Sequence, residues 1–230
     1  MRFRSHRVAL TADIEKAFLQ LQLAKEDRDF VRSLWPADPT DCDSPIVHCR
    51  YTRVVFGVTS SSFLLGAAIL NHLDKYESKG AAFAALQSDR FVDDLVTGAV
   101  DEQSAIELAN AAVIICEEGG FPLRKFASNS AVVRESLRSL SSNITSHGAG
   151  APPSTSLVLP EDAGHSNVLG LDWRWTEDDL AFEVNSIIEF HLATRHIRTK
   201  KMVLRTAMKL YDLMGLVTPL FQPSFSKHVG

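Results

Sequence analysis

Two adjacent carboxylates stand inside an apolar run, Arg90-Phe91-Val92-Asp93-Asp94-Leu95-Val96-Thr97-Gly98. Taking an unpaired carboxylate out of water costs on the order of several kcal/mol, and a like charge beside it adds to that cost. No Lys or Arg falls inside the turn, so the pair requires a cation from elsewhere. Two oxygen donors at the tip of a rigid hairpin suit Mg²⁺, a hard ion that takes one or two carboxylates and completes its shell with substrate phosphates. Taken alone, an Asp-Asp pair is more often a plain exposed turn. A second acid changes that balance, because Val8-Ala9-Leu10-Thr11-Ala12-Asp13 is another short apolar run that ends on a carboxylate. If the two acid-tipped strands are neighbours, three carboxylates converge. That is enough to hold two divalent cations at the attacking and leaving oxygens of a phosphoryl transfer. Adjacent strand residues point to opposite faces, so Asp93 and Asp94 share an ion only if the turn redirects one of them.

The elements that must position these acids follow from pattern. Val8 to Asp13 reads as a short buried strand, and Arg90 to Val100 as two strands meeting at the acidic turn. A small helix is expected around Lys25 to Asp29. Phe30 to Trp35 and Val47 to Phe56, separated by a Pro- and Asp-rich stretch, read as a hairpin-like excursion. Ser60 is placed to cap a helix reaching about Tyr76, with Phe63, Ala67 and Leu70 as its apolar stripe. Asp101 caps the next helix, with the stripe Ile106, Ala109, Val113 and Cys116 and the stop Gly119-Gly120. Residues 139 to 156 lack periodicity and read as a mobile surface loop. Beyond it, Val168 to Trp175 and Leu180 to Ile188 read as strands joined by Glu177-Asp178-Asp179, and Lys200 to Leu213 as a basic amphipathic helix. Strands and helices alternating in this way indicate an α+β sheet with helices on one face.

Composition narrows the class. The 230 residues are 45% hydrophobic and 23% charged, which is ordinary for a globular protein of one large or two small domains. No run approaches the roughly eighteen apolar residues of a membrane span, and no signal-like stretch follows the amino terminus, so a cytosolic or nuclear location is expected. Cys42, Cys49 and Cys116 are too widely spaced for a zinc ribbon or redox pair and read as free thiols. The net charge of −4 is unevenly distributed. From position 191 onward seven Lys or Arg face one acid, a balance of +6, which leaves −10 on the remainder. A basic tail on an acidic body suits a molecule that holds a polyanion with one part and cations with another, although a solvated helix face has the same signature.

The order of these features resembles that of reverse transcriptases. Ala12-Asp13-Ile14-Glu15-Lys16-Ala17-Phe18 resembles motif A, Phe56-Gly57-Val58-Thr59-Ser60-Ser61-Ser62-Phe63 motif B, and Phe91-Val92-Asp93-Asp94 motif C. Gly119-Gly120-Phe121-Pro122-Leu123-Arg124-Lys125 is similar to motif D, and Leu169-Gly170-Leu171-Asp172-Trp173 to motif E, the primer grip. Thr11-Ala12-Asp13-Ile14-Glu15-Lys16, Asp27-Arg28-Asp29 and the terminal Tyr211-Asp212-Leu213-Met214-Gly215-Leu216-Val217-Thr218-Pro219 are closest in flavour to the Pao/BEL group of LTR retrotransposons. Any one motif is weak; five in the right order are specific.

The resemblance implies a polymerase palm over residues 1–190, a ferredoxin-like antiparallel sheet with partial fingers, and a basic helical start of the thumb over 191–230. It implies RNA-directed DNA polymerase activity in a cytoplasmic retroelement particle, with an RNA or DNA template-primer, deoxynucleoside triphosphates and the rest of a polyprotein as partners. Asp13, Asp93 and Asp94 are expected to bind two Mg²⁺ ions, Mn²⁺ being a possible substitute, with the Ile14 carbonyl as a further ligand. Phe18 falls where the family keeps the aromatic under the sugar, and Phe56 and Gly57 where it packs the incoming nucleotide. Lys125 falls near the departing pyrophosphate. Leu169, Gly170 and Leu171 would grip the primer, and Arg195, Arg198, Lys200, Lys201, Arg205 and Lys209 would follow the nucleic-acid backbone. Ser62 and Leu213 stand where the family usually has proline. Arg2-Phe3-Arg4 begins just before motif A, so most of the fingers are expected to lie outside the chain and processive activity is not expected from it alone. Three other readings stay open: a noncatalytic retroelement remnant that binds nucleic acid, an unrelated Mg²⁺-dependent phosphohydrolase, and a helical interaction module.

Overall fold

The computed structural model describes residues 2–76, 80–144 and 164–181, together with Glu189, Thr199, Lys201, Met202 and Arg205. The chain divides into two compact units, residues 1–159 and 160–230.

In the first unit the near-continuous apolar run after Arg7 forms β1 (Val8–Ile14), buried along almost its whole length. Such a run needs cover on both faces. A short helix α1 (Ala17–Gln20) follows, then a 3-10 turn over Lys25–Phe30. An antiparallel ribbon comes next, β2 (Arg32–Pro36) and β3 (Ile46–Arg50), then α2 (Ser61–Leu73) and α3 (Ala81–Ser88). The acidic hairpin is β4 (Arg90–Phe91) and β5 (Asp94–Ala99), succeeded by α4 (Glu102–Glu118), β6 (Leu123–Ser128) and α5 (Ala131–Ile144).

The main sheet is antiparallel in the order β4-β5-β1-β6, so the two acid-tipped strands are neighbours. Val8, Leu10, Ala12 and Ile14 of β1 join Leu95, Leu123 and Phe126 in one core with the helices, where α4 contributes Ala105, Leu108, Ala112, Val113 and Cys116. Each large aliphatic side chain buried here contributes about 1.5–3 kcal/mol. The alternate residues of β1, including Asp13, therefore face the other side of the sheet. The 3-10 turn Arg2–Arg4, with Phe3 buried, packs on β1 and β5.

Asp101 caps α4 as expected, its carboxylate accepting from the Ser104 amide at 2.8 Å. Ser60 makes no side-chain cap. The stripe assigned to α2 is also corrected: Phe63, Ala67 and Leu70 are exposed, while Leu65, Ile69 and Leu73 face the core. Both sets keep helical spacing, and the pattern alone could not say which one meets the sheet. In α4, Ala109, Val113 and Cys116 are buried as expected and Ile106 only partly. The supposed loop at 139–156 begins too early, since α5 runs to Ile144; positions 145–156 lie outside the described residues. Neither β6 nor α5 was anticipated from periodicity.

The second unit carries a three-stranded antiparallel sheet, β7 (His165–Val168), β8 (Leu171–Arg174) and β9 (Asp179–Ala181). The single strand expected over Val168–Trp175 is instead a hairpin that turns at Leu169-Gly170. Both turn residues have positive φ, 50° and 84°, the pairing that a two-residue turn between twisted strands demands. Trp173 and Trp175, both fully buried, stack edge to face at 6.4 Å. Lys201, Met202 and Arg205 are helical, and the rest of the expected basic helix lies outside the described residues.

Candidate active site

The β1–β5 ladder sets Asp13 directly opposite Asp94. Directly opposed residues share a face with their β-carbons about 4.5–5.5 Å apart, and like charges so placed destabilise a sheet. The cost is visible at Asp94. Burial first, then the charges of Asp93 and Asp13, push its carboxyl up to about 6 against the smaller opposing pull of Lys125. Asp93 occupies the second position of the Val92-Asp93 turn, and its carbonyl accepts from the Ile14 amide at 2.9 Å, tying the turn to the end of β1.

A cation does reach these acids, from β6. Lys125 Nζ lies 2.8 Å from Asp13 Oδ2. The ladder between β1 and β6 slips here, with Thr11 opposite Ala127 but Asp13 opposite Arg124, so that β6 carries one extra residue. Lys125 sits in this bulge at φ 55°. Bulges re-aim side chains, and this one turns the ammonium onto the carboxylate. The hydrogen bond to Asp13 raises the Lys125 pKa, so it stays protonated. Beside it, Arg124 is nearly buried and links Glu15, at 3.7 Å, to Glu117 of α4, at 3.1 Å.

Among the described residues no group of three or more His, Cys, Asp or Glu is disposed to hold a metal ion. Asp13 is instead paired with Lys125 at 2.8 Å. The donor set still fits a hard divalent cation in its chemistry. Three carboxylates within electrostatic reach of one another are offset by one ammonium, and burial, reinforced by the charges of Asp93 and Asp13, raises Asp94.

Phe18, buried on α1, meets the exposed Phe56 edge to face with ring centroids 4.7 Å apart. Gly57 next to it has φ 84°, a conformation only glycine adopts freely, and a β-carbon there would meet nothing within 4 Å. The structure thus brings together Asp13, Asp94 and Lys125 in one group and Phe18 and Phe56 in another. Leu169, Gly170 and Leu171 belong to the second unit, where they form the β7–β8 turn and the buried start of β8. Arg195, Arg198, Lys200 and Lys209 lie outside the described residues. Sequence reasoning missed Arg90, whose Nη1 donates to the Val92 carbonyl at 2.5 Å. Its place two residues before the turn was the available signal.

With this geometry in view, one solved structure is informative. A foamy viral protease-reverse transcriptase in complex with an RNA/DNA hybrid superposes with a TM-score of 0.51 at 14% identity. The match covers 99% of this chain and 24% of that one. The fold is reverse-transcriptase-like. The chain spans about a quarter of that enzyme's length. No family model matches the sequence, and no curated protein does. No helix among the described residues is long and apolar enough to cross a membrane.

Proposed function

We propose that this chain is part of an RNA-directed DNA polymerase from an LTR retrotransposon of the Pao/BEL-like group. It joins deoxynucleoside triphosphates to a primer 3′-hydroxyl on an RNA or DNA template, as one segment of a longer polyprotein. The single observation that carries the reading is the like-charged cross-strand pair Asp13–Asp94, with Asp93 in the adjoining turn, on a reverse-transcriptase-like sheet. A fold gains nothing from opposing two carboxylates in this way unless a cation is to be held. The neighbour's RNA/DNA hybrid supports a nucleic-acid substrate.

Asp13, Asp93 and Asp94 hold Mg²⁺, or Mn²⁺ in its place, and the bound ions supply Lewis-acid stabilisation of charge on the phosphate oxygens. Lys125 keeps its proton at neutral pH, since its partner raises its pKa, and so brings positive charge toward the leaving pyrophosphate. Phe18, with its ring fixed against Phe56, closes the space that a 2′-hydroxyl would need. Gly57 lets the backbone approach the nucleotide closely. The Leu169–Leu171 turn bears on the primer, and the basic residues from Arg195 to Lys209 follow the duplex backbone. Primer extension with Mg²⁺ on an RNA template tests the assignment. Asp93→Asn and Asp94→Asn are each expected to abolish extension, and unchanged extension by either variant would sink it.

A further inference from the structure

Val92 is a β-branched residue held at φ 57°, a conformation that is an outlier for such a side chain and is strained. Strain of this kind persists only where the surroundings over-determine it. The hairpin itself is too short to do so, because β4 contributes just two ladder pairs, Arg90 with Leu95 and Phe91 with Asp94. Arg90 adds the missing restraint. Its Nη1 reaches past Phe91 to the carbonyl of Val92 at 2.5 Å. A hydrogen bond from a charged donor is stronger than one from a neutral donor, and so is suited to opposing backbone strain.

The guanidinium is enclosed: it is part-buried, its Nε has no hydrogen-bond partner, and its Nη2 lies beside Gly66 of α2, 3.6 Å from where a side chain there would begin. The residue before it is pinned as well, Asp89 accepting from the Val96 amide at 2.9 Å and the Thr97 hydroxyl at 2.8 Å. A part-buried cation spent on a neutral carbonyl, within two residues of two carboxylates, has no simple stabilising rationale; an uncharged donor would serve a plain turn.

We infer that Arg90 is a positioning residue: it holds the Val92 turn in its left-handed conformation and so sets Asp93 and Asp94 for cation binding and nucleotidyl transfer. The inference rests on the polymerase reading for its kinetic consequence but not for its structural one. Displacing a catalytic group by about 1 Å costs on the order of 10²-fold in rate.

The test pairs Arg90→Gln with Val92→Gly, because glycine adopts positive φ without cost and removes the need for the restraint. In the parent chain Arg90→Gln is expected to lower kcat for primer extension about 30-fold, to leave the nucleotide KM within about 3-fold, and to weaken Mn²⁺ binding measured by calorimetry about 10-fold. In the Val92→Gly background the same replacement is expected to change each quantity by less than about 3-fold. Arg90→Lys, which keeps the charge and a donor, restores part of the loss and serves as the folded control if Arg90→Gln does not fold. Wild-type kcat and Mn²⁺ affinity in Arg90→Gln overturn the inference. So do equal losses in both backgrounds, which mark a general structural role, and so does an absence of Mn²⁺ binding by the parent chain. A parent chain that binds Mn²⁺ but extends no primer defeats the polymerase reading alone, and the Mn²⁺ comparison then decides the role of Arg90.

Discussion

At the scale of the residue, Asp94 is built against the stability of the molecule that carries it. Its carboxyl is pushed up to about 6 in the folded chain, above the unfolded value of 3.8. The folded state therefore binds this proton more tightly than the unfolded one. The contribution to stability falls as pH rises from about 4 to 6, and the loss is complete above that range. Fully expressed, the displacement would cost about 3 kcal/mol at neutral pH; because the side chain is only part-buried, screening leaves about 1 kcal/mol. In chelator-treated buffer at pH 7, Asp94→Asn is expected to be more stable than the parent chain by that amount in denaturant titrations, and no more stable at pH 3.5. A lower midpoint for Asp94→Asn at pH 7 would contradict the electrostatic account. The three acids were legible in the sequence because an acid closing an apolar run is an anomaly that needs no fold to be noticed. Lys125 was legible only by resemblance. Its approach to Asp13 depends on an extra residue in β6, and a bulge leaves little trace in hydrophobic periodicity.

At the scale of the element, the pairing of β1 with β5 makes the site. A slip of one residue would send Asp94 to the core face and replace the Asp13–Asp94 opposition. Gly98 guards that register, since a β-carbon there would lie 2.6 Å from the Val8 carbonyl oxygen across the ladder. Backbone cannot yield as a side-chain tip can. Gly98→Ala is accordingly expected to destabilise the chain by about 1–3 kcal/mol and to weaken Mn²⁺ binding, as read by a denaturant midpoint and by calorimetry. Wild-type stability in that variant would mean that the two strands lie farther apart. Strand existence was readable along β1 and β5, and Asp101 announced the start of α4. The inward face of α2 was not readable, because its sequence is apolar nearly all round and only contact with the sheet selects Leu65, Ile69 and Leu73.

At the scale of the whole molecule, charge and apolar surface are both divided unevenly. The ribbon β2–β3 exposes Leu34, Trp35, Ile46 and Val47, on both of its faces. Two-stranded ribbons are marginal without a surface to pack on. Basic residues concentrate from position 195 onward, although the chain as a whole carries −4. If that segment follows a nucleic-acid backbone, the logarithm of template-primer affinity falls linearly with that of salt concentration, by about 0.9 for each phosphate contacted. Replacing Lys201 and Arg205 together by alanine is expected to reduce that slope by about 2 without altering sequence preference, in anisotropy titrations between about 50 and 200 mM KCl. An unchanged slope would remove those two residues from the interface.

Residue type, period and chain order were enough to mark the anomalous acids, the α+β class and the order of the acid-tipped strands, because these are properties of the chain before it folds. Folding was needed to set Asp13 across from Asp94, to bring Lys125 to Asp13 through a bulge, and to place Arg90 against the strained Val92. Register, bulges and backbone strain arise where segments distant in the chain meet, and the energies that select them are those of contacts that do not exist until the chain has folded.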